Sequence, residues 1–457
     1  MTPIEPYIYL LISLLGVAYP IILNAITNIH NKYSSKIILD TFKKEKSFIW
    51  FRRLMIISII VLIIWTLKTP NILLTPYQPI NFILNNSASI LLALSVIATI
   101  FCFIILVDKT ITYSSPFDLV KSISNENEPK LANFFSTKLD DKTSFTIAAE
   151  VLLSSIKNDG GIMDEEVSSY LYKRYDAFRK GEKGKSPLVY PNYYYEYHYK
   201  ILNHLTTNNA DAPITKHRIG SGMWLLGEAI QKNEISEDTY IWLWRNVVLS
   251  IKNNKVSYIV DFIEYSHQYY RINFSGNYNR NDEGKRFLEF IYVMGGLLLS
   301  EKQYSLISHL LNYTQTTPPS NKLLPENLSE LYGFFANFNT NNDIDKKFYF
   351  PNTSLYETEK TVKHWTNKFL GVLFLWQYYK YTGIRTSIHK QFNKFPNNIE
   401  DYFLWEKYLE TFTHTIDRLL YDDYLIDNLR LKNHIKESKS EFIDKLFPDL
   451  YLLVRWE

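Results

Sequence analysis

Cysteine is nearly absent: of 457 residues only Cys102 carries a thiol. One cysteine cannot form an internal disulfide and cannot supply a thiolate zinc site, so a disulfide scaffold and a zinc ribbon are both excluded. Charge is missing from long stretches near the N-terminus. Glu5 and Lys32 enclose 26 residues with no formal charge, and residues 69–107 form another uncharged run of 39. Acidic groups are scarce there too: residues 1–107 hold 8 basic and 3 acidic side chains, which leaves 42 and 44 for the rest. The basic excess therefore belongs to the first 107 residues. With 46% hydrophobic residues the chain is too apolar for disorder, and its length implies more than one folded unit.

The uncharged runs read as membrane spans. A hydrocarbon core of about 30 Å needs about 20 helical residues. Three segments qualify, at about 7–29, 48–67 and 88–107. No Lys or Arg precedes Lys32, so the first lacks the basic start of a cleavable signal and is expected to stay as an anchor. The second needs Arg52 and Arg53 to reach back to headgroups, with Trp50 and Trp65 at opposite interfaces. Its continuous Ile/Leu/Val run has no polar face, which argues against an interfacial helix. Lys32, Lys36, Lys43, Lys44, Lys46, Arg52 and Arg53 crowd the first connection, whereas the second holds only Lys68. Positive loops stay in the cytoplasm. The expected topology is multi-pass in the plasma (inner) membrane, with the N-terminus outside and the large C-terminal part cytoplasmic.

Small and polar side chains mark candidate packing faces. Ser13, Gly16, Pro20, Asn24 and Thr27 recur at steps of three and four on the first span, and Ala88, Ser95, Thr99 and Cys102 trace a similar stripe on the third. Such residues let backbones approach and hydrogen-bond across helices in lipid. The second span offers only Ser58 and Thr66 and is expected to face lipid. The stripes are read as contacts between the first and third spans or between copies in a homo-oligomer, or as the lining of an oligomeric pore. Pro20 predicts a kink. No span carries an ionisable group at mid-depth, which disfavours ion-coupled transport.

From residue 114 onward apolar positions recur every three to four residues with little alternation, which predicts helix after helix. The fold class is all-α: a transmembrane domain over 1–113 and a large helical cytoplasmic domain over 114–457, an irregular bundle or solenoid, with a subdomain break near 313–325. Motifs for chemistry are lacking. The histidines show no His-Glu-x-x-His pair, and His198 and His204, six apart, fall on different helix faces, so no metal site is expected. Gly220, Gly222 and Gly227 lack the preceding strand and following Gly-Lys-Ser/Thr of a phosphate loop. The Arg385/His389 and Arg430/His434 pairs lie on charged stretches, and Asp140-Asp141 and Asp422-Asp423 suit helix caps. No catalytic residue and no cofactor are assigned.

One stretch combines cations with stackable rings. Lys173, Arg174, Arg179, Lys180, Lys183 and Lys185 surround a Gly-rich turn, and Tyr193, Tyr194 and Tyr197 follow within a tyrosine-rich helix. It is a candidate patch for nucleic acid, a nucleotide or anionic headgroups; the competing reading, a solvated helix end beside inward-facing tyrosines, is favoured because the region beyond residue 107 is net acidic. The expected function is non-enzymatic: an interaction protein at the inner membrane face, bound to the bilayer and to a cytoplasmic protein partner. By architecture alone it is placed with oligomeric membrane effectors or regulated pores of bacterial stress or antiphage defence. A channel or transporter subunit and a membrane-tethered enzyme such as a nuclease are the alternatives.

Overall fold

In the computed structural model the described residues are 5–67, 86–124, 139–158, 165–182, 187–207, 235–274, 282–312, 323–325, 328–340, 343–351, 362–382, 411–412 and 414–429. Among them every regular element is a helix, and the one β-type pairing is an isolated bridge between Leu188 and Ile235. Three N-terminal helices are long and apolar enough to cross a membrane. The chain divides into two compact units, Met1–Arg174 and Tyr175–Glu457. The helices Pro116–Ser124 and Asp141–Asn158 thus belong to the same unit as the spans.

The first unit is built on Glu5–Tyr33, Lys46–Thr66 and Ser87–Ser114. The first and third helices run past their expected ends, because the helical ladder has no reason to stop where apolar residues do. At 29 and 28 residues they measure about 44 and 42 Å, more than a hydrocarbon core of about 30 Å. Pro20 sits inside an unbroken first helix. Leu11, Val61, Leu92 and Val96, one or two from each span, form a buried cluster joined by Ile8, Leu15, Leu62 and Ile100. Burial on the first span follows Leu11, Ala18, Ala25, Ile29 and Tyr33, a seven- and four-residue repeat that faces the other helices.

Between the first two spans lies a short helix, Lys36–Lys44, that sequence reading did not single out. Ser34 adopts a positive φ of 48°, the left-handed turn that ends the first helix and lets the chain reverse. In the short helix Ile38 and Phe42 are buried while Lys36, Lys43 and Lys44 are exposed, so it is amphipathic. Phe42 packs edge-on against Tyr113 at 5.2 Å, and the Tyr113 hydroxyl donates to the buried Glu45 carboxylate at 2.7 Å. Lys32 Nζ donates to the Ser114 carbonyl at 2.7 Å, a cation at the negative end of the third helix. The Lys32 carbonyl in turn accepts from Ser154 Oγ at 2.5 Å and Asn158 Nδ2 at 3.1 Å. The helix Asp141–Asn158 is thereby fixed to the end of the first span.

The second unit centres on Asp282–Ser300, buried along almost its whole length, and Val362–Thr382. Gly295 and Gly296 permit their contact: a side chain on Gly296 would come within 2.8 Å of the Thr366 backbone nitrogen, and one on Gly295 would enter the Phe369 ring. Around them pack aromatic side chains. Trp244 meets Phe348 edge-on at 4.9 Å and Phe290 at 5.8 Å, while its indole Nε1 donates to the Tyr349 carbonyl at 3.0 Å. Ser236 caps the helix Glu237–Lys252 by accepting from Thr239 N, with Glu237 and Asp238 in its first turn.

Two buried or half-buried groups give this unit opposed pH responses. His198 is fully buried with Nδ1 3.1 Å from Asn246 Nδ2, and burial lowers its pKa to about 4. Partial burial, then the neighbouring Glu264, raises Asp261 to about 6. The unfolded chain protonates histidine near pH 6.5 and the folded chain does not, so His198 removes stability as pH falls from about 6.5 to about 4, on the order of 3 kcal/mol in all. Asp261 acts oppositely: its folded form binds the proton more readily, which adds stability as pH falls below about 6. Water screens that half-exposed site, so the histidine dominates. His198→Gln is expected to flatten the loss of thermal stability between pH 7 and pH 5 relative to wild type; identical acid slopes would contradict this assignment.

Candidate functional site

The stripe residues separate by span. On the first, Ser13, Gly16, Pro20, Asn24 and Thr27 are all exposed, and a side chain built on Gly16 meets nothing within 4 Å. Thr27 Oγ1 bonds back to its own helix at the Leu23 carbonyl. On the third, Ser95, Thr99 and Cys102 are buried, and Thr99 Oγ1 meets the second span, 3.4 Å from Ser58 Oγ. The second span was expected to face lipid, and this contact corrects that. Ser58, Phe51 and Val61 turn into the unit, whereas Ile56, Ile57, Ile59, Ile60, Ile63 and Ile64 stay exposed. A small residue every few turns suffices when its partner is equally small, and Ser58, alone in an Ile-rich run, traces no stripe that sequence could reveal.

The cation and tyrosine stretch is taken apart by the fold. Tyr194 and Tyr197 are buried, as are Tyr175, Tyr190 and Tyr195, while Tyr193 is half-buried. Tyr175 donates to the Tyr194 carbonyl at 2.7 Å, and Tyr194 lies against Tyr175 at 4.6 Å. Arg179 is 4% exposed, bonded to the Tyr190 hydroxyl at 3.2 Å and beside Asp176 at 3.7 Å. Its guanidinium opposes the burial that pushes Tyr190 up to about 12. Arg174 pairs with Asp141, and Lys180 with Asp176 at 2.7 Å. Lys173 remains exposed; Lys183 and Lys185 lie outside the described residues. A base cannot stack on rings that already pack on one another, so these tyrosines serve as core.

Other residues considered from sequence occupy local roles. Asp140 caps its helix through Thr143 N at 3.1 Å, and hydrogen bonds from the Thr143 side chain and then its backbone lower the Asp140 pKa; Asp422 caps Asp423–Asn428 through Leu425 N at 3.1 Å. His198 is held in the core, apart from the partly exposed His204. Gly220, Gly222, Gly227, Arg385, His389, Arg430, His434 and most of the 313–325 break lie outside the described residues. Among the described residues no group of three His, Cys, Asp or Glu could hold a metal ion.

Two clefts in the second unit carry charge. The smaller, 280 Å³, is closed by its own ion pairs: Arg286 pairs with Glu237 and stacks on Tyr240 at 4.6 Å, Lys347 lies 3.8 Å from Glu237, and Lys285 lies 4.0 Å from Asp282. Burial raises the pKa of Glu289 on its wall, opposed by Lys347 and Arg286. The larger, 580 Å³, is different in sign. His364 and Lys368 line it from Val362–Thr382, and His414 and Arg418 line it from residues 414–420, each pair four residues apart and so on one helix face. Asn367 and Thr415 add an amide and a hydroxyl. Beside the cleft Asp422 accepts from Lys368 Nζ at 3.3 Å. Sequence reading missed this cleft, because its two halves lie about fifty residues apart and neither is distinctive alone.

Comparison with known proteins gives no match to any family model, any curated protein or any solved structure. The class is therefore defined by architecture: a helical protein with three helices able to cross a membrane and a separate helical unit after them.

Proposed function

We propose that the chain is a non-enzymatic membrane protein whose large helical unit works at the cytoplasmic face of the plasma membrane, with the N-terminus outside. In this reading copies associate through the first span to form an oligomeric effector or regulated pore, of the kind used in bacterial stress or antiphage defence. The observation that carries it is the division of labour on that span. Its apolar repeat from Leu11 to Tyr33 is consumed inside the chain, while the stripe through Gly16 and Asn24 is left uncovered. An exposed Asn at that depth gains most by bonding to another polar group, and an exposed Gly admits a close helix. The bonds from Ser154 and Asn158 to the Lys32 carbonyl give the helix Asp141–Asn158 a direct hold on the same span, so a movement of that helix reaches the stripe.

The test is self-association in detergent and ion flux in liposomes. The double variant Gly16→Leu with Asn24→Leu is expected to weaken association by about thirtyfold and to reduce flux in step, at contacts worth about 1 kcal/mol each. Unchanged assembly size and unchanged leak would remove the stripe from the account.

A further inference from the structure

We propose that the 580 Å³ cleft between Val362–Thr382 and residues 414–420 binds a soluble polyphosphorylated small molecule. Three features point to it. The first is charge: the cations Lys368 and Arg418 converge on one opening beside the imidazoles of His364 and His414, and Asp422 pairs with Lys368. A polyanion would pair with the Arg418 guanidinium, which no carboxylate neutralises among the described residues. The neighbouring 280 Å³ cleft supplies the contrast within the same unit, since each of its cations already has a carboxylate.

The second feature is donor geometry. A guanidinium, an ammonium, imidazoles and the Thr415 hydroxyl are the groups that bind phosphate oxygens, and Arg418 is exposed with no ion-pair partner among the described residues. The third is size. The volume fits a ligand of nucleotide size rather than a single ion. The proposal concerns the second unit alone and stands whether or not the first span conducts.

The experiment is calorimetric titration of the full chain in neutral detergent with inorganic tripolyphosphate, beside a second titration with phosphoinositide-containing micelles. Saturable one-to-one binding of tripolyphosphate is expected, weakened about tenfold by Arg418→Gln and restored in part by Arg418→Lys. Lys285→Gln, in the ion-paired cleft, should leave affinity unchanged. Arg418 lies on the surface, so its variant is expected to keep the wild-type thermal stability. The proposal is overturned if tripolyphosphate fails to saturate, if Arg418→Gln binds as wild type does, if Lys285→Gln weakens binding equally, or if binding occurs only with the phosphoinositide micelles.

Discussion

Replacing Gly296 by valine is expected to cost about 3 kcal/mol or more and to lower the melting temperature of the second unit by roughly 6 to 12 °C. The added carbon would lie 2.8 Å from the Thr366 nitrogen and 2.9 Å from its Cα. Those are backbone atoms, so no rotamer change relieves the overlap and the helix Val362–Thr382 must move away. Its neighbours Phe369, Leu370, Val372 and Leu373 are fully buried, and displacing them opens the core that Asp282–Ser300 completes. Gly333 is the internal control. It is exposed within Leu328–Thr340, a carbon built on it meets nothing within 4 Å, and Gly333→Ala is expected to be neutral or to stabilise by up to about 1 kcal/mol. Thermal unfolding of the two variants beside wild type checks both signs. Equal stability of Gly296→Val and Gly333→Ala would show that the two helices do not meet at this glycine.

The second large effect belongs to the membrane unit. Val96 is fully buried where the three spans meet, and the adjacent Ile97 is 56% exposed. Val96→Asp places a charge near the middle of the third span with no cation to receive it, at about 3 kcal/mol on insertion scales, to which the lost packing adds. The carbonate-resistant, correctly assembled fraction is expected to fall on the order of a hundredfold. Val96→Ala, which removes packing alone, should cost about 1 kcal/mol and still insert. Ile97→Ala should be nearly silent. If Val96→Ala and Ile97→Ala behave alike, the three-helix cluster is not what holds the spans together.

Much of the architecture was readable from residue order. The absence of charge in 6–31 and 88–107 argues for helices there, since lipid offers the backbone no other partner. Three- to four-residue spacing of apolar side chains likewise announced a helical remainder. The rest depended on contacts that one-dimensional patterns do not carry. Lys36–Lys44 is short, and its buried Ile38 and Phe42 stand among charges that resemble a loop. Tyrosine is ambiguous by nature, being able to stack outward or pack inward, and only the bonds from Tyr175 to Tyr194 and from Arg179 to Tyr190 show the inward choice. The compact units divide after Arg174 rather than at the end of the third span, because Ser154 and Asn158 reach back to Lys32 across more than a hundred residues. The basic cleft combines two ordinary i, i+4 pairs whose meaning appears only when they face each other.

Side of the membrane is the claim on which the functional reading turns, and the chain is well suited to a direct measurement because its one native thiol, Cys102, is buried in the third span. Lys252→Cys places a thiol on an exposed position of the second unit, and Leu67→Cys places one at the far end of the second span, where Leu67 is 73% exposed. Treatment of intact cells with a membrane-impermeant maleimide is expected to label Leu67→Cys and to leave Lys252→Cys unlabelled until the membrane is opened. Labelling of Lys252→Cys in sealed cells would put the helical unit outside and contradict the account.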